Sequence, residues 1–130
     1  MSFETRHLPQ HADVTAPDGS DVRILLITGG GSMAHFTLHG GRTSIAVAHR
    51  TVEEIWYFLT GQGEMWRRLD AAEEVTPVTP GTAVTIPVGT HFQFRAIGDD
   101  ESLTAVAITI PPWPNVDEAY PVEGKWPASL

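Results

Sequence analysis

Cysteine is absent from the 130 residues. Disulfides, thiolate metal ligands and a thiol nucleophile are therefore excluded. Long apolar runs are absent as well: none approaches the ~20 residues that span a bilayer. The opening MSFETRHLPQ has no signal-peptide core. A cytoplasmic protein with no membrane partner is the expectation. Basic residues are scarce, eight Lys and Arg against sixteen Asp and Glu, for a formal charge of -8. Phosphate binding needs a basic surface, so nucleic acid is not an expected partner. Helical periodicity is missing too, and helix content is expected to be minimal.

Turn formers and branched residues are what the chain has instead. Twelve Gly and ten Pro punctuate it, and short branched or aromatic runs lie between them, the pattern of an all-β sandwich or barrel. Strands are expected at Val22–Thr28, Met33–Leu38, Thr43–His49, 55–59, 64–69, Ala83–Ile86, Phe92–Ala96 and Leu103–Ile110. Alternation puts Ala34, Phe36 and Leu38 on one face, with His35 and Thr37 on the other. Asp70 to Glu74 reads as a polar loop. Residues 1–21 read as an arm with at most one short strand, 22–110 as the barrel of a single domain, and 111–130 as a Pro- and Trp-rich tail. Trp113 and Trp126 would anchor that tail against a barrel, its own or a neighbour's.

The stretch from Ala48 to Trp66, AHRTVEEIWYFLTGQGEMW, gathers a histidine, the adjacent carboxylates Glu53 and Glu54, an aromatic strand and a Gly-x-Gly turn. The unbroken run Ile55–Leu59 suggests burial on both faces. Alternation also places Glu54, Trp56 and Phe58 on one face, so a carboxylate looks into the cavity that its own strand walls. A buried charge needs a partner, and His49 is the nearest candidate. Arg50 and Glu53 read as solvated neighbours; His7, His11 and His39 read as surface residues.

These residues resemble the first motif of the cupins, small double-stranded β-helix (jelly-roll) barrels. That motif runs Gly, His-x-His, three or four residues, Glu, six residues, Gly. Glu54 and Gly61 fit the spacing, His49 stands at the second histidine, and Val47 replaces the first. The second motif runs Gly, five residues, Pro-x-Gly, two residues, His, three residues, Asn. Gly81, Pro87 and Gly89 match, but Phe92 stands at the histidine, one past His91, and Ala96 at the Asn. The tail wording PPWPNVDEA is also similar to small bacterial cupins. The resemblance implies a cupin barrel of two antiparallel sheets and, in its metal-binding members, a divalent ion (Fe, Mn, Zn or Ni) held by these histidines and the Glu.

Two readings stay open on these grounds. In the first the barrel binds a small polar molecule, and His49 and Glu54 form a hydrogen-bonded pair in a pocket of Val47, Trp56, Phe58, Phe92 and Phe94. Small facing residues (Ala46, Ala48, Ala83, Ala96) leave it room. In the second, His49 and Glu54 with His91 or His35 hold a metal for an oxygenase, isomerase or lyase, and three protein ligands are the usual minimum for that. In a regular strand His91 points away from the cavity, and a bulge near Gly89-Thr90 would be needed to turn it inward. His49 and Glu54 are the candidate catalytic residues in either case, since a carboxyl in an aromatic pocket is raised in pKa and a histidine beside it can move a proton. Arg95 is expected on the outer face, paired with an acid. Exposed sheet edges and an apolar tail lead to the expectation of a homodimer, with the arm or tail covering an edge in trans.

Overall fold

A computed structural model describes residues 2–115 and 117–130. Eleven strands follow in order: β1 (Val14–Thr15), β2 (Asp21–Ile27), β3 (Ser32–Leu38), β4 (Val47–His49), β5 (Glu53–Thr60) and β6 (Gly63–Leu69), then β7 (Ala72–Val78), β8 (Ala83–Ile86), β9 (His91–Ala96), β10 (Leu103–Ile110) and β11 (Ala119–Pro121). They form two antiparallel sheets, one of six strands in the order β1-β2-β3-β10-β5-β8 and one of five in the order β11-β4-β9-β6-β7. No helix occurs among the described residues, and none is long and apolar enough to cross a membrane.

The sheets face each other across a core to which β5, β8 and β10 contribute every second residue. Glu54, Trp56 and Phe58 point in from β5, and Ala105 and Ala107 lie beside Phe58 and Trp56 on β10. From β9 come Phe92, Phe94 and Ala96. The reversal between β5 and β6 needs glycine. Gly61 has φ +81, and a Cβ there would collide with the carbonyl oxygen of Ser102.

Three expectations change. Ile55–Leu59 is not buried on both faces: Ile55 and Tyr57 are each 48% exposed, because no element covers the outer face of β5. The expected loop at Asp70–Glu74 is mostly strand, since β7 already pairs Leu69 with Ala72 and Arg68 with Glu73. Its acids have partners: Trp66 Nε1 donates to Glu73 at 2.9 Å, and Arg67 to Glu74 at 3.1 Å. The alanines at 46, 48, 83 and 96 do not make the room ascribed to them. Ala83 is exposed, while none of Ala46, Ala48 and Ala96 lines the cavity.

The ends of the chain close the barrel. β1 pairs with the edge of β2, and β11 pairs antiparallel with β4, Ala119 opposite His49. The tail thus covers an edge of its own barrel. Trp126 is held on the outer face of the five-stranded sheet. Its NH donates to Gln93 Oε1 (3.0 Å), its carbonyl accepts from Gln93 Nε2 (2.7 Å), and the Arg95 guanidinium lies over its ring. Arg95 pairs with Glu64, as alternation predicts for an outward residue.

Candidate functional site

Strand alternation builds the site. Glu54 opens the inward face of β5, two residues before Trp56, and Trp56 Nε1 donates to Glu54 Oε2 at 2.7 Å. The indole thus fixes the carboxyl from beneath. His49 ends β4 with its ring edge-on to Phe92 (5.2 Å) and to Trp113 (5.1 Å). Its Nδ1 lies 3.2 Å from Glu54 Oε1, so the expected hydrogen-bonded pair is a close contact only, and this buried nitrogen has no hydrogen-bond partner among the described residues.

Above the pair opens a cavity of about 380 Å³. Phe36 and Trp56, stacked at 4.9 Å, form one wall, with Val47, Phe92 and Trp113 on others. Room comes from small side chains on the central strands, Ala34 and Ser32 on β3 and Thr109 on β10. The N-terminal segment Val14–Asp18 and the tail residues Trp113 and Ala119 complete the lining.

Burial governs the charges. Glu54 is 3% exposed, and its carboxyl is pushed up to about 8, first by desolvation and then by the nearby Asp18 and Glu118, with the Trp56 hydrogen bond opposing. Desolvation pushes His49 down to about 4, against the pull of Glu118. Near neutral pH the carboxyl therefore keeps its proton and the imidazole is uncharged, with one ring nitrogen protonated and the other free to accept. Asp18 is also raised by burial, although Ser20 donates to it from both backbone and hydroxyl. Burial acts to raise Glu118 as well, but the Thr51 hydroxyl and the Thr51 and Val52 amides donate to it and hold it below its ordinary value.

Of the expected pocket residues, Val47, Trp56 and Phe92 line the cavity with His49 and Glu54. Phe58 and Phe94 do not: both are fully buried beyond Trp56, in the core with Leu38, Met65, Val78 and Leu103. His91 is not brought to the pair. It opens β9 opposite Arg68, on the face away from Phe92, and no bulge turns it inward. His35 is not brought in either: Ser32, Met33, Ala34 and Phe36 are the β3 residues that line the cavity, and His35 lies opposite Arg23 of β2. Sequence reasoning missed Asp18 and Glu118. Asp18 reads as part of a Pro-Asp-Gly turn and Glu118 as one tail acid among several; no local signal marks either as buried.

Residues 34–109 match the Cupin domain family (Cupin_2). No curated protein matches the chain by sequence. Among solved structures, it is similar to an ectoine synthase from P. lautus at 20% identity, covering 98% of this chain and 93% of that one, with a TM-score of 0.70. It is similar to the Streptomyces protein PAC13, solved with uridine, at 14% identity, 95% and 92% coverage and a TM-score of 0.72. A Klebsiella pneumoniae protein with a double-stranded β-helix domain is similar at 16% identity, 81% and 80% coverage and a TM-score of 0.65. At these identities the likeness shows a shared fold.

The metal that the cupin resemblance implies does not fit the residues present. Val47 and Phe92, which stand at two histidine positions, are direct cross-strand partners and close that side with hydrocarbon. His49 and Glu54 remain, and no group of three or more His, Cys, Asp or Glu that could hold a metal occurs among the described residues. Two protein donors fall short of the usual three.

Proposed function

We propose a binding function for this chain, which belongs to the cupin family: its cavity receives a small molecule with an apolar body and a polar head. The head meets His49 and Glu54, and the body lies between Phe36, Trp56, Phe92 and Trp113. The observation that carries this reading is the unpartnered His49 Nδ1. A buried polar atom without a hydrogen bond costs about 1–3 kcal/mol, and a ligand head supplies the missing partner. The cavity, at about 380 Å³, falls in the size range of small-molecule sites. Its largely hydrocarbon wall changes the expected ligand from simply polar to amphipathic.

Thermal melting against a panel of such molecules tests the proposal, because a ligand that binds only the folded state raises the melting temperature. Shifts are expected for wild type and should vanish in Ala34→Phe, which fills the cavity from β3. A second variant, Thr109→Leu on β10, guards against a folding defect in the first. No shift with any compound in wild type, or equal shifts in both filled variants, would reject the reading.

One observation favours a second reading, proton transfer. A carboxyl held near 8 beside an imidazole held near 4 is an acid that keeps its proton next to a free base. Carbonyl compounds from the same panel, incubated in D₂O with the protein, should then exchange protons next to the carbonyl. If Glu54→Gln exchanges them as fast as wild type, this reading fails.

A further inference from the structure

The cavity contains acids and no fixed cation. Asp18 and Glu54 both line it, Glu118 lies close enough to act on His49 and Glu54, and no Lys or Arg is among the lining residues described. A ligand with an anionic head would meet two buried carboxyls and no counter-charge. Such a ligand pays the full desolvation cost without compensation.

An arriving cation favours loss of the Glu54 proton, and with Glu54 ionised the free atoms at the head of the cavity are acceptors. Glu54 Oε2 is taken by Trp56, which leaves Oε1; His49 Nδ1, on a side chain only 5% exposed, has no partner. These two atoms lie 3.2 Å apart. A head group with several donors on one atom can serve both at once, and an ammonium has that geometry. The walls agree. Phe36 and Trp56 stack along one side while Phe92 and Trp113 stand around His49, and aromatic faces attract cations.

Resting on the binding function proposed above, we infer that the ligand is an organic cation: a primary or secondary ammonium on an apolar body, its nitrogen held by Glu54 Oε1 and His49 Nδ1. Asp18 supplies a second carboxyl from the N-terminal segment. The ring walls enclose the body and exclude water from the ion pair. Buried acids, an orphaned acceptor and aromatic walls then have one occupant in common.

Three probes of similar size separate the alternatives: 2-phenylethylamine, 2-phenylethanol and 3-phenylpropanoate. Trp56 and Trp113 stand in the wall, so tryptophan emission reports occupancy by each probe in the full-length protein at neutral pH. The amine should bind about tenfold or more tighter than the alcohol, with the carboxylate weakest. Glu54→Gln and Asp18→Asn should each erase most of that preference, and the two variants guard against a folding defect in either. Arg95→Ala, on the outer face, should leave it unchanged. If the alcohol or the carboxylate binds as tightly as the amine, the cation assignment is wrong while the binding function stands. An amine preference that survives in both acid variants also overturns the assignment. If none of the three probes binds while compounds of the melting panel still do, the assignment is wrong and the binding function stands; silence in both experiments rejects both.

Discussion

The two ends of the barrel are made by the same strands and differ in almost everything else. Towards the Gly61 turn, Phe58 and Phe94 lie in the buried core with Leu38, Met65, Val78 and Leu103, and none of these lines the cavity. Two residues back along the same faces, Trp56 and Phe92 border a cavity that holds two buried carboxyls and an unsatisfied imidazole. Trp56 is the partition: its ring meets Phe94 at 5.1 Å on one side and stacks on Phe36 on the other. One end spends its inward positions on cohesion, and the other leaves them free for a ligand. A single alternating pattern thus builds both a core and a site, and what separates them is side-chain volume on the facing strands.

Substitutions at the filled end should have the largest effect. Phe58→Ala and Phe94→Ala are each expected to cost about 3–5 kcal/mol in urea unfolding, the lost transfer energy plus a cavity with no means of collapse. Phe36→Ala, on a half-buried ring already beside open space, should cost about 1–2 kcal/mol. If Phe36→Ala proves as costly as the other two, the ends are not distinct and the comparison breaks.

Glu118 sharpens it from the cavity side. Its carboxylate accepts from Thr51 N at 2.6 Å, Thr51 Oγ1 at 2.5 Å and Val52 N at 3.1 Å, tying the tail to the loop after His49. Removing it in Glu118→Ala leaves buried donors unpaired and should cost about 1–3 kcal/mol. Hydrogen exchange should quicken at Thr51 and Val52 while amides around Phe58 and Phe94 stay protected. Equal loss of protection at both ends would show that the tail supports the whole barrel.

The pH dependence should carry the signature of the cavity end alone. Glu54 is raised from 4.5 to about 8, so folding is favoured by its protonated form and stability declines as pH rises through that window. His49 is lowered from 6.5 to about 4, so its contribution is full above 6.5 and declines as pH falls towards 4. Between 4.5 and 6.5 the two trends offset; from 6.5 to 8 only that of Glu54 remains. Stability should then fall with rising pH by up to about 1.4 kcal/mol per unit. Buried Asp18 acts in the same sense as Glu54, so the comparison with Glu54→Gln isolates the Glu54 part. Urea midpoints that stay level across that range in wild type would mean that the carboxyl is not held protonated.

The smallest effect is expected on the outside of the filled end. Arg95 pairs with Glu64 and lies over Trp126, but the pair is partly solvated. Arg95→Ala should cost about 1 kcal/mol or less and leave probe binding unaltered. A loss of binding there would place the ligand on the wrong side of β9.

Much of this contrast is legible before folding. Alternation assigns Glu54, Trp56 and Phe58 to one face and Arg95 to the other, and motif spacing locates the Gly61 turn and the damaged second motif. Parity alone turns His91 away from Phe92, as the structure has it. Alternation cannot tell which inward residues touch each other and which face empty space. Hence Phe58 and Phe94 read as pocket residues on the same footing as Trp56 and Phe92. The run Ile55–Leu59 misleads for a related reason: composition shows that a face is apolar, and only neighbouring elements decide whether it is covered.

By itself, then, the sequence determined most strand faces, the turns, the family and the closeness of His49 to Glu54, because each depends on residues close together along the chain. Tertiary structure decided which end stayed open, since a cavity is the difference between volumes supplied by β3, β5, β9, β10 and both chain ends. It decided that the tail closes its own barrel, and it brought Asp18 and Glu118 to a histidine and a glutamate far away in sequence. The proton balance of the site followed from that assembly. Desolvation and charge act through space, and no single segment carries them.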